Sequence, residues 1–367
     1  MRYTDAGFGI RALKTEFPGF AMLPNMNTLR AFVLSILLIL TACGLVPDDA
    51  VAPHAISVSA KRVDAFDLND PSRSHFGDLD VRGGLILKSP DPSFGGFSSL
   101  NVQPDGSHFL ALSDQGNWLR GRIVYQGNHP DAIRHAEMAP ALRADGKVSG
   151  RWDTESMARD GGILYVGVER ENQIVRFDYG HKGLRAPGTP IPIPPTLQDL
   201  PFNQGLEALV FVPKKRPLGG TLIALSECGL NEAGDIMAFL IGGPNPGVFY
   251  VKRTDGYDIS DASLLPGSDL LVLERQYSPS AGVSVRIRRI PLEQIVPGAT
   301  VDGPTLMEAR KGCVIDNMEA LSVYRTPAGA TVLTLLSDDN FSPVQQTILL
   351  QFTLAGNGAS KPRGSAK

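Results

Sequence analysis

Short stretches in which apolar and polar residues alternate recur along most of the chain, separated by turns that contain glycine or proline. Residues 173–177 and 283–290 are examples. A period of two places apolar side chains on one face, which is typical of half-buried β-strands. Long amphipathic helices have no comparable support in the pattern. The alternation therefore predicts an all-β protein.

Five segments repeat one order of features. Each opens with a small polar or acidic group, passes through an alternating stretch and a turn, and ends in an apolar strand closed by an acidic residue. The segments are residues 96–114, 153–170, 203–227, 259–275 and 316–340. The positions taken as equivalent, with successive steps of 57, 52, 54 and 58 residues, are Ser98, Glu155, Glu207, Asp261 and Glu319.

Units of this length cannot each enclose a core, so they must pack against one another. For units built of several short strands, the all-β solution is a β-propeller. We expect six blades, the sixth formed by residues 79–87 and 347–354, although five or seven blades also fit the repeat. Joining both chain ends in one blade closes the ring. The predicted propeller is residues 76–356, after a linker at 44–75 and before a disordered tail at 357–367.

Composition and charge narrow the classes of function. Of the 367 residues, 43% are hydrophobic and 20% are charged, and the 39 glycines and 28 prolines suit many tight turns. The 35 basic and 38 acidic side chains are interleaved and give a formal net charge of −3. Nucleic-acid binding is not expected, because no basic stripe is present to displace counterions from phosphates.

An export signal is predicted near the N-terminus. Residues 31–40 read AFVLSILLIL, an apolar run shorter than the roughly 20 residues that a membrane span needs. Residues 40–43 read LTAC and resemble the bacterial lipoprotein box, in which the cysteine carries the lipid. An ordinary cleaved signal with an incidental cysteine is the alternative. We expect residues 1–43 to be an N-terminal extension with a lipoprotein-type signal, and Cys43 to anchor the protein on the periplasmic side of a bacterial envelope. The outer membrane is expected over the inner one because Gly44, rather than Asp, follows the cysteine.

Four short motifs resemble those of a known family. They are residues 112–116 (LSDQG), 271–275 (LVLER), 316–319 (DNME) and 336–341 (LSDDNF). Together, over about residues 80–355, they are similar to the bacterial phytase-like family described as having esterase-like activity of phytase. The resemblance implies a propeller-like, exported hydrolase of phosphate monoesters or other esters. Two repeats depart from a uniform set of glutamates, since the first has Ser98-Ser99 and the fourth has Asp261.

In a propeller the innermost strand of each blade lines a central channel, so equivalent acids from successive blades would form a ring. Carboxylates held close together repel one another unless a cation or a basic group compensates them. Oxygen ligands suit Ca²⁺ or Mg²⁺, and we expect a divalent cation, with Ca²⁺ as the first choice. The predicted ligands are Glu155, Glu207, Glu319 and Asp338.

Other polar residues are secondary candidates for the channel, namely Asp114, Glu169, Glu227, Asp261, Glu274, Asn317 and Asn340. For each acid the alternative is a turn-forming or capping role between blades. Arg170 and Arg275 follow strand-final acids and would either bind an anionic group or form structural ion pairs. With Glu207, they are the predicted catalytic residues. The pairing of Cys228 with Cys313 is left open.

Absent motifs restrict the mechanism. The sequence contains no G-x-S-x-G, H-E-x-x-H or G-x-x-x-x-G-K-[ST], and its six histidines all lie in the N-terminal half. We therefore predict a metal-dependent hydrolase of a small anionic or ester substrate, in which the cation polarises an ester oxygen. Two alternatives stay open. One is a non-catalytic, lipid-anchored binding or scaffold propeller, and the other is an enzyme similar to sugar lactonases.

Overall fold

The computed structural model describes residues 52–150, 152–201, 205–267 and 269–355. Strands make up nearly all of the regular structure in these residues, and they form five separate sheets. The innermost strands of the five sheets contact one another in a closed ring. The prediction of an all-β propeller is confirmed, and the number of blades is five, one of the counts that the repeat allowed.

The blades contain four to six strands each, numbered in chain order and named from the outer edge of the blade to the channel. The first blade is β1 (His54–Ala55), β8 (His129–Pro140), β7 (Asn117–Gln126), β6 (His108–Ser113) and β5 (Phe97–Val102). The second is β12 (Gly188–Pro190), β11 (Gln173–Phe177), β10 (Ile163–Val168) and β9 (Thr154–Asp160). The third is β20 (Thr300–Val301), β16 (Gly247–Val251), β15 (Ile236–Gly242), β14 (Thr221–Leu230) and β13 (Leu206–Phe211).

The fourth blade is β21 (Thr305–Ala309), β19 (Gly282–Pro291), β18 (Asp269–Ser278) and β17 (Asp258–Leu264). The fifth is β2 (Ser59–Val63), β4 (Leu79–Lys88), β24 (Thr347–Leu354), β23 (Thr331–Asp338) and β22 (Asn317–Arg325), with β3 (His75–Phe76) also paired to β4. Two short helices, α1 (Tyr179–Lys182) and α2 (Pro195–Gln198), and two 3₁₀ turns, Gly183–Arg185 and Leu292–Gln294, complete the elements of the described residues.

Both ends of the propeller meet in the fifth blade. Strand β4 pairs with β24, and β24 pairs with β23 of the fifth repeat. The two segments expected to build a sixth blade are therefore strands of the fifth blade. The ring closes with five blades for this reason, and not with the six expected from the sequence. Strand β2, inside the expected linker, pairs with β4 along its whole length and belongs to the same blade.

Apolar strand faces join neighbouring blades. Five clusters of buried hydrophobic residues occur, and each lies between two adjacent blades. Between the first and second blades, for example, Trp118 meets Phe177 edge to face with ring centroids 5.4 Å apart. Strand β23 is buried at every position because apolar residues occupy both of its faces. This packing fixes the innermost strands relative to one another.

Glycine residues occupy the tight turn between the first two strands of the second blade. The loop between β9 and β10 has only two residues, Gly161 and Gly162, since Asp160 already pairs with Ile163. Gly161 has a φ of +57°, a conformation that glycine adopts without the steric cost borne by other residues.

The middle of the channel is apolar. Each inner strand contributes one buried residue to this layer, which consists of Leu100, Met157, Leu209, Ala262 and Leu321. The same residues line a cavity of about 200 Å³ at one end of the channel, together with Arg159 and Arg216. The acidic residues of the repeats lie towards the other end of the inner strands.

Other predictions concern cysteines and the two ends of the chain. Cys228 and Cys313 are both free, so they do not form the disulfide that the sequence leaves open. The predicted signal, Cys43 and the expected tail at 357–367 lie outside the described residues and stay predictions. Among the residues that are described, no helix has the length and hydrophobicity to cross a membrane.

Candidate active site

A β-bulge interrupts every innermost strand at the same place. At this place one residue of the inner strand has no partner in the second strand of the blade. The bulge redirects the side chain of that unpaired residue. The unpaired residues are Ser98, Glu155, Glu207, Ser260 and Glu319. The predicted ring exists in this form, with three glutamates and two serines.

The fourth blade corrects one predicted member of the ring. Ser260 occupies the bulge, whereas Asp261 pairs with Leu273 one position further along. A shift of one residue turns a side chain to the opposite face of a strand. The Asp261 carboxylate instead accepts hydrogen bonds from the backbone N–H of Ala262 at 2.7 Å and of Leu321 at 2.6 Å. Asp261 therefore connects the fourth and fifth inner strands and lies outside the ring.

A second layer of side chains comes from the second strand of each blade or the residue that follows it. Each of its residues lies opposite the inner-strand residue found two positions before the bulge. In three blades the backbone N–H of the layer residue donates to the backbone carbonyl of that inner-strand residue, at 2.7 Å for Asp114, 2.8 Å for Glu169 and 2.9 Å for Glu227. In the other two blades, β18 and β23 place Arg275 and Asp338 opposite the corresponding residues. Four acids and one arginine therefore form the second layer.

Glu274, predicted for this layer, points away from it. It pairs with Ile259 rather than with the residue two positions before the bulge, and its side chain is fully buried. Its carboxylate accepts hydrogen bonds from Arg286 Nε and Arg288 Nε, both at 2.8 Å. Glu274 is thus a structural ion-pair residue inside the fourth blade.

Arg275 enters the acidic cluster directly. Its Nη1 donates to Asn317 Oδ1 at 2.7 Å, and its Nη2 lies 3.1 Å from Glu227 Oε1 and 3.4 Å from Glu319 Oε1. These carboxylates raise the pKa of Arg275 against the opposing effect of burial. The guanidinium compensates acids on the side of the third and fifth blades, and its Nε is buried without a hydrogen-bond partner among the described residues.

Arg170 has a different environment. It follows the layer residue Glu169, whereas Arg275 occupies the layer itself, so the two arginines are not equivalent. Arg170 Nε lies 2.7 Å from Asp153 Oδ2, and its side chain is 56% exposed. It forms a solvent-accessible ion pair at the edge of the cluster.

Burial and mutual repulsion raise the pKa values of the clustered acids. Burial is the larger cause for Glu155 and Glu207, whose pKa values lie well above the usual range, and neighbouring carboxylates raise them further. Burial also raises the pKa of Glu319 to about 8, although Arg275 opposes the shift. The pKa of Asp114 rises to about 7 through burial and the charge of Asp338.

Two groups of three carboxylates are compact enough to bind a metal ion. In each group the ligand oxygens lie within 4.8 Å of one another, and the groups are Asp153, Glu155, Glu169 and Glu169, Glu207, Glu227. Two of the predicted ligands, Glu155 and Glu207, belong to them. Sequence reasoning missed Asp153 as a site residue. Its signal is its place two residues before Glu155, the place that Asn317 holds before Glu319.

The other two predicted ligands, Glu319 and Asp338, lie outside these two groups. Glu319 Oε1 accepts a hydrogen bond from Asn317 Nδ2 at 2.6 Å and lies close to Arg275. Asp338 Oδ1 accepts the backbone N–H of Asn340 at 2.6 Å. Asn340 itself is exposed and has a φ of +48°, which is rare for a residue other than glycine. The hydrogen bond to Asp338 therefore helps to hold the turn that follows strand β23.

The raised pKa values predict how the stability of the cation-free protein depends on pH. A carboxyl group whose pKa is higher in the folded than in the unfolded state loses its contribution to stability as pH rises through the folded pKa. With Glu319 at about 8 and Asp114 at about 7, stability should fall between about pH 4.5 and pH 8. We expect the melting temperature measured with chelator to be higher at pH 6 than at pH 8.5. Glu319→Gln should reduce this difference, and an unchanged or reversed difference in the unsubstituted protein would contradict the assignment.

Comparisons with solved structures find matches of low similarity. The PQQ-bound aldose sugar dehydrogenase of Streptomyces coelicolor is 12% identical, with 82% of this chain and 99% of that chain covered and a TM-score of 0.38. The glutaminyl cyclase of Myxococcus xanthus is 9% identical, with 83% and 97% covered and a TM-score of 0.38. These similarities are too low to bear on the chemistry.

The family comparison is more informative. No curated protein sequence matches the chain. The profile of the phytase-like family, described as esterase-like activity of phytase, matches residues 92–341, which include every bulge residue and every residue of the second layer. The chain therefore belongs to the phytase-like family.

Proposed function

We propose that this protein is a divalent-cation-dependent hydrolase of phosphate monoesters or carboxylic esters. The observation that carries the proposal is the convergence of buried carboxylates from different blades at one end of the channel, with the guanidinium of Arg275 among them. Buried charges of one sign are costly unless they are compensated. Membership of the phytase-like family supports the ester substrate class.

The residues present fit a hard divalent cation. The donors are carboxylate oxygens of the second and third blades. Asp153 also pairs with Arg170, and Glu227 with Arg275, so two basic groups face five carboxylates. The residues that would hold the cation are Asp153, Glu155, Glu169, Glu207 and Glu227. When bound, such an ion supplies Lewis-acid polarisation of an ester oxygen.

Arg275 is suited to bind the anionic part of a substrate. Its planar guanidinium presents several N–H donors in the geometry that phosphate and carboxylate groups accept. The surrounding second layer is acidic, so an anion approaching it meets repulsion everywhere except near Arg275 and the cation. We assign Arg275 the role of orienting the substrate.

Asp114 is suited to accept a proton from the attacking water. In the cation-free protein burial and the charge of Asp338 raise its pKa to about 7, and its Oδ1 is buried without a hydrogen-bond partner among the described residues. Asp114 lies in the first blade, where the bulge residue is Ser98 rather than a glutamate.

The test is hydrolysis of 4-nitrophenyl phosphate and 4-nitrophenyl acetate by the full chain, with EDTA and then with added Ca²⁺ or Mg²⁺. We expect at least about a tenfold loss of turnover in EDTA and recovery with the cation. Asp261→Asn is the matched control, because Asp261 is a buried acid of an inner strand that lies outside the ring. A melting temperature that rises with Ca²⁺ without turnover of either ester would instead support a non-catalytic binding protein.

A further inference from the structure

The two carboxylate groups of the site have one member in common. Glu169 belongs both to the group with Asp153 and Glu155 and to the group with Glu207 and Glu227. Its Oε1 accepts the backbone N–H of Gly205 at 3.0 Å, which fixes the carboxylate between the second and third blades. A carboxylate has two oxygens and can therefore serve two neighbouring ions.

The spacing within each group suits one Ca²⁺ ion. Calcium–oxygen distances are 2.3–2.6 Å, so two ligand oxygens on opposite sides of one ion lie about 4.8 Å apart. The oxygens of each group lie within 4.8 Å of one another. Each group by itself can therefore supply three of the six to eight oxygens that one Ca²⁺ ion takes.

Glu207 provides separate evidence that a cation belongs here. Its side chain is only 6% exposed and makes no hydrogen bond or ion pair with any described residue. Other buried acids among the described residues have partners, such as the two arginines at Glu274 and the two backbone amides at Asp261. An unpartnered buried carboxylate directed at other carboxylates calls for a positive ligand.

We propose that the site binds two divalent cations that share Glu169. Asp153 and Glu155 complete one position, and Glu207 and Glu227 complete the other. The inference rests on the proposed function, since it counts the cations at the same centre. It also explains why Arg275 alone does not compensate the cluster, because Arg275 contacts Glu227 but none of the acids of the second blade.

The first test is calorimetric titration with Ca²⁺ of the full chain, after a chelator has removed bound metal. The second is elemental analysis of the protein after dialysis against Ca²⁺. We expect two ions per chain. Asp153→Asn should weaken only one binding step, Glu227→Gln only the other, and Glu169→Gln both, each by at least about tenfold. Asp261→Asn should leave both steps unchanged. Circular dichroism of each variant establishes that it is folded, and the stoichiometry of the unsubstituted chain tests the inference without any variant.

The outcomes separate the inference from the proposed function. One ion per chain, or the loss of the same step in Asp153→Asn and Glu227→Gln, would overturn the inference even if hydrolysis depends on Ca²⁺. Two ions with the expected pattern of losses would support it even if neither ester is hydrolysed. In that second case only the proposed hydrolase activity would be rejected.

Discussion

Replacing Glu207 by glutamine is expected to lower cation-dependent hydrolysis at least about 100-fold, which corresponds to roughly 3 kcal/mol of transition-state stabilisation. The same substitution should raise the melting temperature of the cation-free protein at pH 8.5. Glutamine keeps the size of the side chain but removes a buried negative charge that Glu155 and Glu227 repel. Loss of activity together with a gain in stability is the signature of a group retained for binding or chemistry rather than for folding.

Turnover of 4-nitrophenyl phosphate in saturating Ca²⁺ and thermal unfolding in EDTA measure the two effects. Asp261→Asn is the control and should leave turnover nearly unchanged, because the Asp261 carboxylate accepts hydrogen bonds from the backbone N–H groups of Ala262 and Leu321 and lies outside the ring. Full activity of the Glu207 variant would remove Glu207 from the mechanism, and a lower melting temperature would show that its carboxylate has a stabilising partner.

Glu274→Gln is expected to destabilise the protein by about 3–5 kcal/mol. Glu274 is completely buried and contacts two buried arginines, Arg286 and Arg288. Removing its charge takes away the shared buried partner of both guanidinium groups and leaves each with one carboxylate that is more exposed, Asp255 for Arg286 and Asp302 for Arg288. Breaking a buried ion pair by removing one partner is costly because the remaining charges stay desolvated.

Urea unfolding followed by circular dichroism measures this effect. The matched control is Arg289→Gln on the same pair of strands, which removes an ion pair with Asp269 in which the arginine side chain is 44% exposed. Exposed pairs contribute about 0–1 kcal/mol, so the control should unfold at nearly the normal urea concentration. Equal effects of the two substitutions would contradict the structural role of Glu274. Catalytic activity of folded Glu274→Gln protein should be close to normal, since the residue lies outside the site.

The sequence is sufficient to predict the propeller and the convergence of distant acids, because a recurring order of turn, strand and acid has a physical cause in stacked blades. Glu155, Glu207 and Glu319 occupy the same bulge position, as the repeat indicates. The predicted alignment of the fourth repeat is wrong by one residue. Ser260 and Arg275 hold the positions assigned to Asp261 and Glu274, and a one-residue shift places a side chain on the opposite face.

The remaining differences arise from pairing that a single repeat does not encode. A bulge depends on the register between two strands, so its position cannot be read from one strand alone. The number of blades depends on the sheet that strands β4 and β24 join. These two strands come from opposite ends of the propeller and pair with each other, which is a long-range contact. Asp153 is missed because the repeat is defined by the glutamate two residues later, although both side chains belong to one carboxylate group.

The apolar layer in the middle of the channel affects how polar molecules can reach the acidic site. Leu100, Met157, Leu209, Ala262 and Leu321 form a layer of buried apolar side chains across the inner strands, two residues after each bulge. Moving a polar or charged group through an apolar layer costs free energy. We therefore expect polar molecules to reach the carboxylates from the acidic end of the channel.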